Sequence, residues 1–259
     1  MSSLARTRSV ASAVAWRGIH NAFTNPAFLL PSVLFPLFFF IAFAGGLSGV
    51  QNVPAFDYKS GYTSFQFAFV CVQAAAFGGV FTGFAIAADF EFGFARRLML
   101  AAPNRGGIVI GYMLSAMTRA VFVLSVVFLA GLISGMHIDG SLGDLAALLV
   151  LALCVSAVST LWSAGIAMRM RTMQAGPVMQ MPVFIGLFLA PVYVPLDLVA
   201  GWVHEVARLN PATAFLEAAR GFVAGEPTKV GITAACLVGM FALAALWARG
   251  GLRSAEQAG

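Results

Sequence analysis

The chain alternates long apolar runs with short polar segments. The runs that contain no Asp, Glu, Lys or Arg cover residues 18–56, 60–88, 120–138, 145–168, 172–196 and 230–248. Each run can hold the roughly 20 apolar residues that a bilayer-spanning helix needs. Because lipid offers the backbone no hydrogen-bond partners, such runs should be helical.

This pattern predicts an all-α, polytopic membrane protein that forms a single domain over residues 1–259. We predict six transmembrane helices, near residues 28–49, 63–88, 108–135, 144–168, 175–195 and 229–248. A cleaved signal peptide is the alternative for the first run. That run is too long for the apolar region of a signal peptide, and no small-residue cleavage site follows a short apolar core.

Composition supports a membrane protein, because 60% of residues are hydrophobic and only 10% are charged. Soluble domains carry about 25% charged residues. The three cysteines lie far apart within predicted spans and have no metal-ligand spacing. We interpret them as small apolar packing residues.

The distribution of basic residues predicts how the chain is oriented, because Lys and Arg accumulate in cytoplasmic loops. With a cytoplasmic N-terminus, the inside segments hold Arg6, Arg8, Arg17, Arg96, Arg97, Arg105, Arg169, Arg171, Arg249 and Arg253. The outside segments hold only Lys59, Arg208, Arg220 and Lys229. This favours both termini inside. The net charge of +5 then reflects membrane orientation and not nucleic-acid binding, since no basic stripe with interleaved aromatic residues occurs.

Residues 89–107, DFEFGFARRLMLAAPNRGG, form a polar interruption between the second and third predicted spans. At 100° per residue, one arc collects Phe92, Phe94, Ala95, Leu98, Met99 and Ala102. Arg96 and Arg97 fall on the opposite arc, and Pro103 cannot continue the helix. The pattern predicts a short amphipathic helix at the inner membrane face. Periodicity alone does not separate an ordinary interfacial helix from a docking element.

A second polar segment, between the fifth and sixth predicted spans, has the pattern of two short helices outside the membrane. Asn210 can cap the second helix, with Pro211 in its first turn. Glu217 and Arg220 are three positions apart, the spacing of an ion pair on one helix face, and Gly225 can close the helix.

Both segments resemble the permeases of type-2 ABC exporters. The resemblance is closest to the drug-resistance branch of the family, which contains the daunorubicin exporters. In the first segment the matching residues are Glu91, Gly93, Arg96, Leu98, Pro103 and Arg105. In the second they are Trp202, Arg208, Asn210, Pro211, Thr213, Ala219, Arg220 and Gly221. Where the family often has Met-Pro before the tryptophan region, this chain has VPLDLVAG. The resemblance covers nearly the whole chain.

The resemblance implies a transmembrane subunit that works with a separate ATPase, and ATP and Mg²⁺ would bind that partner and not this chain. It implies that the first segment is an ATPase-coupling helix, with Glu91, Phe92, Phe94, Arg96, Arg97, Leu98, Pro103 and Arg105 as its functional residues. It implies outer-gate helices that carry Trp202, Arg208, Asn210, Pro211, Glu217 and Arg220. It also implies an N-terminal interfacial helix and a dimer, formed with a second copy or a homologous permease. The cargo would be lipophilic, either a drug, a lipid or a glycolipid-like molecule.

Two polar residues within the predicted spans are further candidates. Arg119 lies deep in the third span, and we predict that it faces protein, although snorkelling toward headgroups is the alternative. Gln180 lies in the proline-rich fifth span.

Other functional classes fit less well. The chain contains no G-x-x-x-x-G-K-[ST] phosphate-binding motif, so we expect no ATPase site of its own. A proton-coupled secondary transporter is the alternative function, but we find no buried acid within any span and no evident internal repeat. A membrane enzyme would need a catalytic cluster, and the three histidines lie in different segments.

Overall fold

The computed structural model describes residues 3–102 and 104–257. The described residues form α-helices and short helical turns and contain no strand. The α-helices are α1 (Ser3–Thr24), α2 (Pro26–Phe40), α3 (Gly61–Glu91), α4 (Phe94–Ala101), α5 (Gly106–Ile133), α6 (Leu142–Met170), α7 (Gly176–Phe188), α8 (Trp202–Leu209), α9 (Pro211–Ala224) and α10 (Val230–Gln257). The all-helical membrane fold is therefore confirmed.

In the described part of the chain, five helices are long and apolar enough to cross a membrane. They are the segment Leu29–Asn52, α3, α5, α6 and α10. The first of them continues α2 through a π-helical turn at Ile41–Gly45 and a 3₁₀ turn at Ser48–Asn52. Five of the six predicted spans thus have matching helices.

The predicted span over residues 175–195 does not form one long helix. α7 has 13 residues and ends at Phe188, so it is only about 20 Å long. Pro191 and Pro195 follow, and neither can donate the backbone hydrogen bond that would extend the helix. The exact count of six spans is therefore not confirmed.

α3 is the central helix, and it packs most extensively against α6. A Cβ at Gly79 would lie 2.6 Å from the Cβ of Ser159, and one at Gly83 would lie 2.4 Å from the Cβ of Ser163. Both pairs keep the same sequence offset, so the two helices run parallel. Glycine and serine allow the backbones to approach closely, as in many membrane helix pairs.

α1 lies along the side of α5, with which it makes its largest contact. Ala11, Val14 and Ala15 are buried, whereas Trp16 is exposed. Gly111 permits the approach, because a Cβ there would lie 2.6 Å from the Cβ of Val14. α1 is therefore a two-faced helix, as an interfacial segment requires.

The second of the two short helices before the last span begins and ends as predicted. The Asn210 side chain caps α9 by accepting a hydrogen bond from the N–H of Ala212 at 3.0 Å, and Gly225 closes the helix with a φ of 73°. α9 is mostly buried and packs against α3, α6 and α10. It is therefore not a free surface helix, and only α8 is largely exposed.

Candidate functional site

The candidate site is α4, the short helix that joins two long spans. α3 ends at Glu91, and Gly93 adopts a φ of 75°, a left-handed conformation that glycine reaches without strain. The chain therefore turns sharply before α4 begins at Phe94. The predicted stop at Pro103 lies outside the described residues, and α4 ends at Ala101.

α4 has one face toward the protein and one face away from it. Ala95 and Met99 are buried, and the candidates Phe94 and Leu98 are half-buried. Leu98 and Ala102 lie in a groove against α1. The sequence periodicity correctly places these residues on the inward face.

The outward face carries two large apolar side chains and two arginines. Phe92 is 77% exposed and Leu100 is 75% exposed, and both Arg96 and Arg97 are exposed. The prediction that Phe92 shares the inward arc is wrong, because the turn at Gly93 separates it from the helix. The exposed side chains of this face are therefore Phe92, Arg96, Arg97 and, in addition to the predicted candidates, Leu100.

An ion pair anchors the inward side of this region. Arg17 of α1 donates two hydrogen bonds to the carboxylate of Asp89, at 2.7 and 2.6 Å, and Tyr112 of α5 donates a third at 2.6 Å. The Arg17 guanidinium also lies 3.6 Å from the centre of the Phe94 ring, within cation–π range. Burial alone would lower the pKa of Arg17, but the hydrogen bonds and charge of Asp89 raise it. α1, α3, α4 and α5 are thus joined through one bidentate pair.

The two ends of the loop are tied to other helices. Glu91 accepts a hydrogen bond from the N–H of Met173 at 2.7 Å, which links the end of α3 to the segment between α6 and α7. Arg105 forms an ion pair with Glu256 of α10 at 3.3 Å and donates a hydrogen bond to the carbonyl of Met99 at 3.2 Å. A displacement of α4 would therefore act on most of the long helices at once.

The predicted outer-gate residues lie in two different environments. Trp202 is exposed, and Arg208 pairs with Glu205 at 3.1 Å on the surface of α8. The Asn210 side chain also donates a hydrogen bond to the carbonyl of Gly186 at 2.6 Å, so the start of α9, with Pro211 as its first residue, is held against α7.

The predicted Glu217–Arg220 pair does not form. Glu217 pairs with Lys229 instead. Arg220 is buried, donates to the carbonyl of Val192 at 3.1 Å and lies 3.3 Å from the centre of the Phe65 ring. The two side chains diverge because α9 packs between other helices, so Arg220 points into the protein and Glu217 toward the start of α10.

The two intramembrane polar candidates also differ. Arg119 is 5% exposed, and it donates to the carbonyl of Gly78 at 2.5 Å and to the hydroxyl of Thr82 at 2.6 Å. It therefore faces protein and binds α3. Gln180 is half-buried on α7.

Sequence reasoning did not identify the Arg17–Asp89–Tyr112 group. Arg17 and Asp89 are 72 positions apart, so no helical spacing connects them. The available signal was that Asp89 is the first acid after a charge-free run, where a charge must find a partner or reach water.

The fold and the comparisons identify the class of this protein. The sequence profile of the ABC-2 type transporter family matches residues 10–223, so the chain belongs to that family. It is a multi-pass membrane permease subunit of an ABC transporter.

Among named proteins, the chain is similar to the daunorubicin resistance ABC transporter permease protein DrrB1 of Streptomyces coeruleorubidus. The two are 26% identical over 211 residues, which cover 81% of this chain and 73% of that relative.

Proposed function

We propose that this permease exports a lipophilic molecule and is driven by an ATPase on a separate subunit. The observation that carries this proposal is the outward face of α4, where Phe92, Leu100, Arg96 and Arg97 are exposed on a helix that is firmly tied to the protein behind it. Aromatic and arginine side chains are enriched among the residues that dominate the binding energy of protein interfaces. The similarity to a daunorubicin resistance permease supports a drug or a comparable lipophilic cargo.

The proposed mechanism follows from the ties around α4. ATP binding would close the ATPase subunits and push on α4 from the cytoplasm. Because Asp89, Arg17 and Tyr112 connect α3, α1 and α5, the push would move these helices together. The partner ATPase would supply the phosphate chemistry, with ATP and Mg²⁺ bound there.

A second permease, either another copy or a homologue, would complete the transporter. The first span exposes large apolar side chains at Leu30, Leu34, Phe38 and Ile41, which lipid or a partner permease can cover. We place both termini in the cytoplasm on the basis of the arginine distribution, with α4 on the same side.

A topology reporter tests this orientation. A reporter that is active only in the cytoplasm should give signal when fused after Gly259 or inserted at Asn104, and it should be silent at Asp57. Signal at Asp57 together with silence at Asn104 would reverse the orientation.

The energy source can be tested with purified protein. The permease alone should hydrolyse ATP at the rate of a no-protein control, and hydrolysis should appear when its cognate ATPase is added.

Export in cells should continue when a protonophore collapses the proton gradient, provided that ATP is maintained. Export that stops with the gradient while ATP is unchanged would favour the proton-coupled alternative.

A further inference from the structure

A crevice in the membrane-spanning region is not explained by coupling to an ATPase. It has a volume of about 590 Å³ and lies between α3, α6, α7, α9 and α10. Its rims carry exposed side chains, Pro182 on α7 and Leu243 on α10, so it opens sideways toward lipid. The start of α9, at Asn210 and Pro211, forms part of its wall.

The crevice wall is suited to hydrocarbon. Most lining residues are aliphatic or aromatic, and the hydrogen-bonding side chains at its two ends already have partners. Trp162 donates to the carbonyl of Met179 at 3.2 Å, and Trp247 donates to the carbonyl of Trp162 at 3.1 Å. Asn210 bonds Gly186 and Ala212. A polar ligand would find few unpaired hydrogen-bonding groups in the crevice. An apolar chain would instead bury both its own apolar surface and that of the crevice wall.

One end of the crevice carries a positive charge. The rings of Trp162 and Trp247 stack with their centres 5.7 Å apart, and the Arg169 guanidinium lies 3.7 Å from the centre of the Trp247 ring. Arg169 is half-exposed, and within residues 3–102 and 104–257 it forms no ion pair with a carboxylate. One of its terminal nitrogens donates to the carbonyls of Gly165 and Trp247, which leaves other donors of the guanidinium for an anion.

The dimensions match one leaflet of a bilayer. Arg169 is next to the last residue of α6, and the crevice extends along α6 as far as Val155. Fourteen residues of helix span about 21 Å, and one leaflet including its headgroup region is about 20–22 Å thick. A headgroup at Arg169 would therefore place an acyl chain along the crevice, with the Trp247 ring that Arg169 contacts near the level where tryptophans are usually found.

We propose that this crevice binds one anionic phospholipid, with its phosphate at Arg169 and an acyl chain between α7 and α10. The lipid comes from the leaflet on the α4 side of the membrane and is a resident ligand, distinct from the exported cargo. By filling the space between α7 and α10, it supports the short helix α7, which is too short to span the membrane alone.

Tryptophan quenching by brominated lipids tests this site directly. Trp16 and Trp202 are exposed and can be replaced by Phe, so that Trp162 and Trp247, both in the crevice wall, provide the emission. The purified permease is placed in nanodiscs of unbrominated phosphatidylcholine. Increasing fractions of a brominated lipid are added, either phosphatidylglycerol or phosphatidylcholine, and both carry the same brominated acyl chains. The mole fraction of brominated lipid at half-quenching should be about fivefold lower for phosphatidylglycerol than for phosphatidylcholine. This is the preference expected from one basic residue at an anionic headgroup.

Three variants assign the effect to the crevice and its arginine. Arg169→Gln should remove the preference for phosphatidylglycerol, and Arg169→Lys should retain much of it, which separates charge from packing. Arg8→Gln, at an exposed arginine of α1, is the matched control and should change nothing. Ala244→Met adds bulk to the crevice wall and should reduce quenching by both lipids.

Equal half-quenching fractions for the two lipids in the otherwise unaltered chain would overturn the proposal. So would a preference that survives Arg169→Gln, or quenching that is unchanged by Ala244→Met. Displacement of the brominated lipid by daunorubicin would assign the crevice to the cargo and would also overturn it. None of these results depends on whether the permease exports that drug.

Discussion

Replacing Leu100 by Asp should abolish export and the retention of the ATPase subunit, while the permease remains folded. Leu100 is 75% exposed on the outward face of α4, so the change removes no internal contact. In a packed interface, however, a new carboxylate would be buried without a partner. Loss of an apolar anchor costs about 2 kcal/mol or more, which weakens binding about 30-fold. Co-purification of the ATPase and efflux of the cargo, measured in the same cells, provide the readout.

Two further variants separate this effect from damage to the fold. Leu4 is also an exposed apolar residue, on α1, and Leu4→Asp should leave export and ATPase retention intact. Leu98→Asp should instead lower the thermal stability of the permease, because Leu98 is half-buried against α1. Normal efflux and normal ATPase retention in Leu100→Asp would show that the partner contacts another surface.

The second large effect concerns adjacent glycines in α3. In Gly79→Ala, the new methyl group would lie 2.6 Å from the backbone nitrogen of Thr160 and 2.6 Å from the Cβ of Ser159. A backbone atom cannot rotate away, so α3 and α6 must separate. We expect a loss of about 3 kcal/mol or more, at the upper end of the usual cost of overpacking. The measurement is the temperature at which the purified permease loses its monodisperse peak in size-exclusion chromatography.

Gly78→Ala is the matched control for this prediction. A Cβ at Gly78 meets no atom within 4 Å, and alanine is favoured over glycine in a helix by up to about 1 kcal/mol. Gly78→Ala should therefore keep or slightly raise the transition temperature. Equal transition temperatures for the two variants would mean that α3 and α6 do not pack as closely as the structure shows.

The sequence predicted the long helices well, because each is encoded by a local property. A charge-free apolar run identifies α3, α6 and α10 without knowledge of their neighbours, and Asn210-Pro211 identifies the boundary between α8 and α9. The inward positions of Ala95 and Met99 also follow from helical periodicity.

The errors arose where tertiary contacts determine the outcome. We extended the helical pattern of α4 backward across Gly93, which placed Phe92 on the wrong side. A periodic pattern does not reveal where the chain changes direction. Apolar composition suggested a full span where α7 ends early, and helical spacing suggested an ion pair where Glu217 binds Lys229. The Arg17–Asp89 and Trp162–Trp247 contacts join residues that are 72 and 85 positions apart, and no local pattern in a single sequence specifies such pairs.

The two faces of α4 have a consequence for how such transporters diversify. Its inner residues pack against this chain's own α1 and α3. In the proposed complex, its exposed outer residues would face the ATPase subunit. The outer positions can therefore change together with an ATPase gene while the inner ones stay fixed. Exchanging Phe92, Arg96, Arg97 and Leu100 as a set should redirect the permease to a different ATPase. In a cell with several such exporters, differences at these four positions would keep each permease paired with its own ATPase.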